Sequence, residues 1–183
     1  MAIETPICDF GKKAPDFKLK STDNKILSLN DIKGENGTLI MFICNHCPYV
    51  KAVTKEIVED CTELQKLGIN AVAICANDAE NYPEDSFENM LSFSKENNFE
   101  FPYLFDDNQE VAKKFGAVCT PDFFGYNKLL KLQYRGRFRE LKNLTPIKNG
   151  ESELKKAMLK ISKTQNGPKE QIPSMGCNIK WIK

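Results

Sequence analysis

The 183-residue chain predicts an α/β fold, a mixed central β-sheet flanked by helices. Three observations carry that prediction. Leu39-Ile40-Met41-Phe42-Ile43 is a continuous apolar run of strand length with no polar face, as expected of a central strand covered on both sides. Val50, Val53, Ile57, Cys61 and Leu64 then recur at steps of three and four, the buried stripe of a helix over 50–67 that Gly68 stops. Ile69 to Cys75 is a second apolar strand, so the three make a βαβ unit, parallel and with a right-handed crossover.

The remaining elements fall around that unit. Residues 1–16 read as a loop. Phe17-Lys18-Leu19 alternates, Asp23-Asn24 supplies a turn, and Ile26-Leu27-Ser28-Leu29 completes a short hairpin at the sheet edge. Asp31 to Gly37 reads as a loop. Ala76 to Pro83 is a polar loop, and Asp78, Asp85 and the neighbouring acids read as solvated. Pro83 suits the first turn of a helix whose inner face is Phe87, Met90, Leu91 and Ser94. Phe101 to Phe105 predicts a strand. Asp107 and Glu110 have capping-box spacing ahead of a short helix over Val111, Ala112 and Phe115, ended by Gly116. Phe123–Tyr126 and Leu129–Tyr134 flank Asn127-Lys128 as a second hairpin. Leu154, Ala157, Met158 and Ile161 mark the last helix. The tail from Thr164 to Lys183 is polar, but its apolar residues within Pro173–Trp181 predict docking. One domain over 1–183, with 164–183 as a C-terminal tail, is the expected organisation.

Composition narrows the function classes. With 26 basic and 25 acidic residues, a net charge of +1 gives no electrostatic reason to expect nucleic acid or an anionic membrane as partner. No apolar run approaches the length of a membrane span. Met1-Ala2-Ile3-Glu4-Thr5-Pro6 lacks the basic and apolar regions of a signal peptide, so a cytoplasmic location is the expectation. The seven cysteines are odd in number and scattered, which argues against a disulfide framework. A close pair in such a chain is catalytic or metal-binding.

That pair is Cys44 and Cys47 in Cys44-Asn45-His46-Cys47-Pro48, where the first strand hands over to the helix. The nucleophile in disulfide exchange is the thiolate. The reading places Cys44 just before the helix and Cys47 in its first turn, so the unpaired N–H groups and the helix dipole favour an anion on Cys44. His46, the chain's only histidine, adds a positive charge beside it when protonated. Reactive cysteines in such settings have pKa values of roughly 3.5 to 7.5. Cys61 and Cys75 read as core. Cys119, two residues before Pro121, is an accessory thiol within reach of the pair, with packing favoured. Cys177 is a second accessory thiol, able to resolve Cys47 or Cys44 from the docked tail, with a structural role weighted higher. Tyr49 and Lys51 flank the site.

Gly11-Lys12-Lys13-Ala14-Pro15-Asp16-Phe17 is similar to the opening of redoxins, and Cys44-Asn45-His46-Cys47 to the thioredoxin redox motif. Thr120-Pro121 sits just before a strand, where thioredoxin folds carry a cis-proline facing the dithiol. Over roughly residues 8–163 the chain therefore resembles the thioredoxin superfamily on its AhpC/TSA (redoxin) side. With Cys44 to Lys51 and Pro173-Ser174-Met175-Gly176-Cys177, it looks like the peroxiredoxin-like 1 group. The resemblance implies a thioredoxin-like fold with an N-terminal β-hairpin extension, and a thiol–disulfide oxidoreductase with no bound cofactor or metal. In it Cys44 attacks, Cys47 resolves, His46 steadies the thiolate, and Thr120 and Pro121 position the substrate. The substrate would be a disulfide-containing protein or a small thiol, with a reductant the sequence does not identify. Related redoxins often dimerise, so a homodimer is also open.

Cys47-Pro48 also resembles the peroxidatic Cys-Pro of peroxiredoxins, which keeps a thiol peroxidase using Cys47 or Cys44 as the rival. The other peroxidase residues do not carry over. Cys44 stands where Thr or Ser is expected, Ile40 where Pro is, and Arg135, Arg137 and Arg139 all come later than the family's arginine. From thioredoxin itself the chain departs at Thr38, in place of a buried Asp. Alternatives of a different class are a metal site using Cys44, Cys47 and Cys119, or a redox-inert binding module.

Overall fold

The computed structural model describes residues 1–183. The segment expected as a leading loop contains strand β1 (Ala2–Glu4). The edge hairpin forms as β2 (Lys18–Ser21) and β3 (Ile26–Ser28), in the expected place. Within the region expected as loop lies a one-turn helix, α1 (Leu29–Ile32), held by a capping box between Ser28 and Asp31. The central βαβ unit is β4 (Gly37–Phe42), α2 (Pro48–Gln65) and β5 (Ile69–Cys75). Pro83 opens only a single 3-10 turn, Pro83–Asp85. Helix α3 (Phe87–Glu96) starts after it because Ser86 is the residue whose hydroxyl accepts from Asn89 N. Of its expected inner face Met90 is buried, and Phe93 joins it in place of Leu91 and Ser94.

Strand β6 (Tyr103–Phe105) leads to α4 (Glu110–Phe115). The expected Asp107 cap is not the one used. Buried Asp106 accepts from Val111 N and Ala112 N at 3.3 and 2.7 Å, and Gln109 takes a left-handed conformation to bring the helix onto it. Gly116 ends the helix at φ +68°, a conformation glycine adopts without strain. Then come β7 (Cys119–Thr120), β8 (Asp122–Tyr126), β9 (Leu132–Tyr134), a small hairpin of β10 (Leu141–Lys142) and β11 (Thr145–Pro146), α5 (Glu153–Thr164), and β12 (Met175–Asn178) in the tail.

The main sheet has seven strands in the order β3-β2-β6-β5-β4-β8-β9. Strands β4, β5 and β6 are parallel and the other pairs antiparallel, so the sheet is mixed. Every residue of β4 is buried. Its period-2 alternation sends Leu39 and Met41 to one core, with the apolar stripes of α2 and α5, and Ile40 and Phe42 to the other, with Phe115 and Phe124 of α4 and β8. Each such fully buried side chain contributes about 1.5–3 kcal/mol of transfer free energy.

The tail docks as expected, and more tightly than a packed coil would. β12 pairs antiparallel with β1 on one side and with β7 on the other, a separate three-stranded ribbon at the carboxyl end of β4. That is the end where the dithiol lies. Beneath it, Asp122 is fully buried and paired with Arg135, whose Nε and Nη2 donate to the two carboxylate oxygens at 3.3 and 2.9 Å.

Candidate redox site

Helix α2 begins at Pro48, which places Cys47 at the N-cap and Cys44 three residues ahead in an irregular turn. This shifts the expected arrangement by one position in role. The free N–H groups of the first helical turn face Cys47, not Cys44. Proline at the first helical position accounts for the shift, since its ring fixes φ for a helix start and it has no N–H to leave unpaired. Both sulfurs are sealed from solvent, Cys44 at 1% and Cys47 at 0% exposure. Exposure therefore does not distinguish the two cysteines.

Thr120 faces both cysteines. Its hydroxyl lies 3.3 Å from Cys44 Sγ, and its carbonyl accepts from the Cys47 thiol at 3.1 Å. The Thr120–Pro121 peptide is cis, in the position the resemblance implied. Pro121 turns its ring outward to a groove of about 190 Å³, shared with Tyr49, Val53, Phe138 and Met175.

The Cys44 and Cys177 thiols and the backbone N–H groups of Cys177 and Val50 surround Cys47 Sγ and favour a negative charge on it. Burial and the Thr120 carbonyl oppose these donors, but the donors prevail, and Cys47 is held down from about 9 to about 5. Cys44 is pushed far upward, first by sharing its hydrogen with Cys47, then by burial and the Asp85 charge. Of the two, Cys47 is therefore the sulfur held low and Cys44 the one raised, where the sequence reading expected the lowered value on Cys44.

Asp85, expected to be solvated, is completely buried and organises the turn. Its Oδ1 accepts from Asn45 N at 2.8 Å and its Oδ2 from Asn77 Nδ2 at 2.7 Å. Tyr103 OH donates to Asn45 Oδ1 at 2.9 Å, and Asn45 Nδ2 donates to Glu84 O, so Asn45 is held from three sides. His46 Nδ1 is 2.7 Å from Asp85 Oδ2, a close contact without hydrogen-bond alignment, and its ring stacks parallel to Tyr82. His46 is thus in contact with a carboxylate while its ring still lies within 4.8 Å of Cys44 Sγ. Sequence reading missed Asp85, and the only available signal was its place just after the Pro83 turn.

The accessory thiols part company. Cys119 Sγ faces Pro121 O at 3.6 Å and is raised by burial, away from the pair. Cys177 is in contact with Cys47. Metal chemistry would use Cys44, His46 and Asp85, whose donor atoms lie within 4.8 Å of one another, rather than the Cys44, Cys47 and Cys119 set expected from spacing. Both Asp85 oxygens already serve N–H donors, so a cation there would have to displace them. None of the three arginines is bonded to the dithiol. Arg135 holds Asp122, Arg137 holds Glu153, and Arg139 holds Glu56 and two loop carbonyls.

Comparison with known proteins agrees with this fold. The chain aligns along its whole length (100%, and 97% of the other chain) with a protein of solved structure from Geobacillus kaustophilus, at 42% identity and a TM-score of 0.95. Among curated proteins it is similar to the peroxiredoxin bcp of Coxiella burnetii, 28% identical over 120 residues, covering 64% of this chain and 72% of that one. It is also similar to the thiol-disulfide oxidoreductase ResA of Bacillus cereus, 24% identical over 120 residues, covering 66% of this chain and 65% of ResA. The AhpC/TSA family pattern matches residues 10–139, the whole main sheet and the dithiol turn. With its fold and its cis-proline already in place, the chain belongs to the AhpC/TSA family.

Proposed function

We propose that the protein is a thiol–disulfide oxidoreductase working through Cys44 and Cys47. The observation that carries this reading is geometric: two buried cysteines at the turn into α2 meet one residue, Thr120, whose hydroxyl lies 3.3 Å from Cys44 Sγ and whose carbonyl lies 3.1 Å from Cys47 Sγ, directly ahead of the cis Pro121. Cys47 attacks a substrate disulfide, forming a mixed disulfide and releasing one substrate sulfur as a thiolate that takes up a proton. Cys44 then loses its proton and attacks Cys47 Sγ, forming the Cys44–Cys47 disulfide and releasing the second substrate thiol. Two electrons pass from the pair to the substrate. A stabilised thiolate favours the reduced form, so the pair is the more oxidising for it. Asn45 and Asp85 fix the turn, and Thr120, just ahead of Pro121, contacts both sulfurs. Supporting this reading is the likeness to ResA, by its name a thiol-disulfide oxidoreductase. The test is equilibration against reduced and oxidised glutathione. A Cys44–Cys47 disulfide interconverting with the dithiol at a defined ratio supports the reading, and a pair that never oxidises rejects it.

The rival, a thiol peroxidase, has one specific observation in its favour: the low-pKa thiolate is Cys47, directly before Pro48 at a helix start. Against it, all three guanidiniums are committed elsewhere, so no arginine is left to polarise a peroxide O–O bond at the sulfur. Stopped-flow reaction of reduced protein with hydrogen peroxide is expected to run no faster than free cysteine.

A further inference from the structure

The edge of β7 beside the dithiol is where an incoming polypeptide would add as a strand, because its backbone groups flank the sulfur that reacts. In this molecule that edge is occupied by the chain's own tail. β12 lies antiparallel on β7 with Cys177 opposite Thr120 and Asn178 opposite Cys119. Ser174 Oγ donates to Pro121 O at 2.8 Å. Gly176 approaches so closely that a Cβ on it would stand 2.0 Å from Thr120 O. Thr120 is the residue whose carbonyl meets the Cys47 thiol, so the pairing register delivers Cys177 to Cys47. Cys177 packs against the core that contains Cys44 and Cys47, and it lies close enough to Cys47 for each to influence the other's charge. Cys44 and Cys47 are sealed, whereas Cys177 is only half-buried. The three sulfurs thus run from the interior to the surface.

Building on the thiol–disulfide exchange reading above, we infer that β12 is a tethered substrate strand and Cys177 a third exchange thiol, which carries the disulfide from the sealed pair to an external thiol. In the oxidised protein Cys177, as thiolate, attacks Cys47 Sγ. The Cys44–Cys47 bond breaks, the Cys47–Cys177 bond forms, and Cys44 leaves with the proton that Cys177 gave up. One disulfide and one thiol become one disulfide and one thiol, with no net oxidation. A small external thiol then attacks Cys177 Sγ, which is the accessible sulfur, and Cys47 leaves as the low-pKa thiolate, a good leaving group. A second equivalent of the small thiol frees Cys177 as the symmetrical small-molecule disulfide is made. Cys177, pushed up to about 11 by partial burial and by sharing with Cys47, is a poor free nucleophile, which ties its reaction to contact with Cys47.

The test is disulfide mapping by non-reducing peptide mass spectrometry. The full-length wild type, Cys44→Ser and Cys177→Ser proteins are each oxidised with oxidised glutathione and then quenched in acid. The inference expects an intramolecular Cys47–Cys177 disulfide in Cys44→Ser, both disulfides in the wild type, and only Cys44–Cys47 in Cys177→Ser. It further expects re-reduction of oxidised Cys177→Ser by glutathione to slow relative to the wild type. If Cys44→Ser carries Cys47 as a glutathione mixed disulfide while Cys177 remains alkylatable, the third-thiol role is overturned and the exchange reading stands. If the wild type forms no Cys44–Cys47 disulfide, the exchange reading itself is overturned, and with it this inference. Circular dichroism of each variant, unchanged from the wild type, separates a lost disulfide from a lost fold.

Discussion

His46 Nδ1 lies 2.7 Å from Asp85 Oδ2, and this pairing decides what the only histidine does. A histidine next to a redox cysteine invites the reading that it stabilises a thiolate. Here its Nδ1 is taken by a carboxylate that also holds Asn45 N and Asn77 Nδ2. The pair fixes the turn, and Asp85 sets the field that Cys44 feels. The thiolate on Cys47 owes its stability to the Cys44 thiol and to backbone N–H groups instead.

Replacing Asp85 separates these two effects. Asp85→Ala leaves two buried donors, Asn45 N and Asn77 Nδ2, without an acceptor, so it is expected to destabilise the fold by about 3 kcal/mol, read from the urea midpoint. Asp85→Asn keeps an oxygen for Asn45 N and removes the charge. The expected result is a smaller loss of stability and a Cys44 that deprotonates at lower pH, seen as an earlier second step in thiolate absorbance. An unchanged second step would exclude Asp85 from the electrostatics of the pair.

Thiolate absorbance of the reduced wild type is expected to rise with a midpoint near 5, well below the ordinary 9. Cys47→Ser removes that step. Cys44→Ser moves it upward, because the S–H donor is lost. Between pH 5 and 9 the folded chain binds fewer protons at Cys47 than the unfolded chain does, so stability rises with pH across that window. The contribution is complete above the unfolded value and gone once the pH has fallen through about 5. The urea midpoint of reduced wild type, compared with Cys47→Ser, is expected to diverge as the pH is raised from 5 to 9.

Arg135→Met leaves the Asp122 carboxylate buried without its cation, next to the strand that carries the cis-proline. Burial already raises Asp122 despite Arg135, so the carboxyl is expected to take up a proton in the variant. Breaking one side of a buried pair costs about 3–5 kcal/mol. The double variant Arg135→Met, Asp122→Asn is expected to recover part of that loss, in thermal unfolding followed by circular dichroism.

Gly176→Ala places a methyl group where Thr120 O now lies. β12 is expected to lift from β7, and reaction of Cys47 with an aromatic disulfide reagent to accelerate about tenfold or more, as a buried thiol becomes an open one. No acceleration would mean that the dithiol is reached by another route.

The parts legible in the sequence were those whose pattern is written locally. β4, α2 and β5 each bury a continuous apolar run or stripe, and they form where the pattern places them. β1 and β12 are three and four residues long, and nothing in Ala2–Glu4 or Met175–Asn178 specifies a strand without its partner. Asp85 looked solvated because an acid in a polar loop usually is, and its burial depends on Asn45 and Asn77 arriving from other elements. The choice of thiolate was different, because its signal was present. Pro48 favours the first helical position, which makes Cys47 the cap and leaves Cys44 outside the helix. Placing Cys47 inside the first turn, with Cys44 just ahead of the helix, put the dipole on Cys44 instead.

The β1–β12 pairing knots the two ends of the chain together within one ribbon of the thiols. Whatever tugs on the first five residues therefore tugs on the strap across Cys47. An affinity tag ahead of Met1, or trimming of Ala2 to Thr5, would reach the chemistry without touching a single catalytic side chain. Preparations that differ only in how their ends are cut would then differ in how fast their sulfurs react.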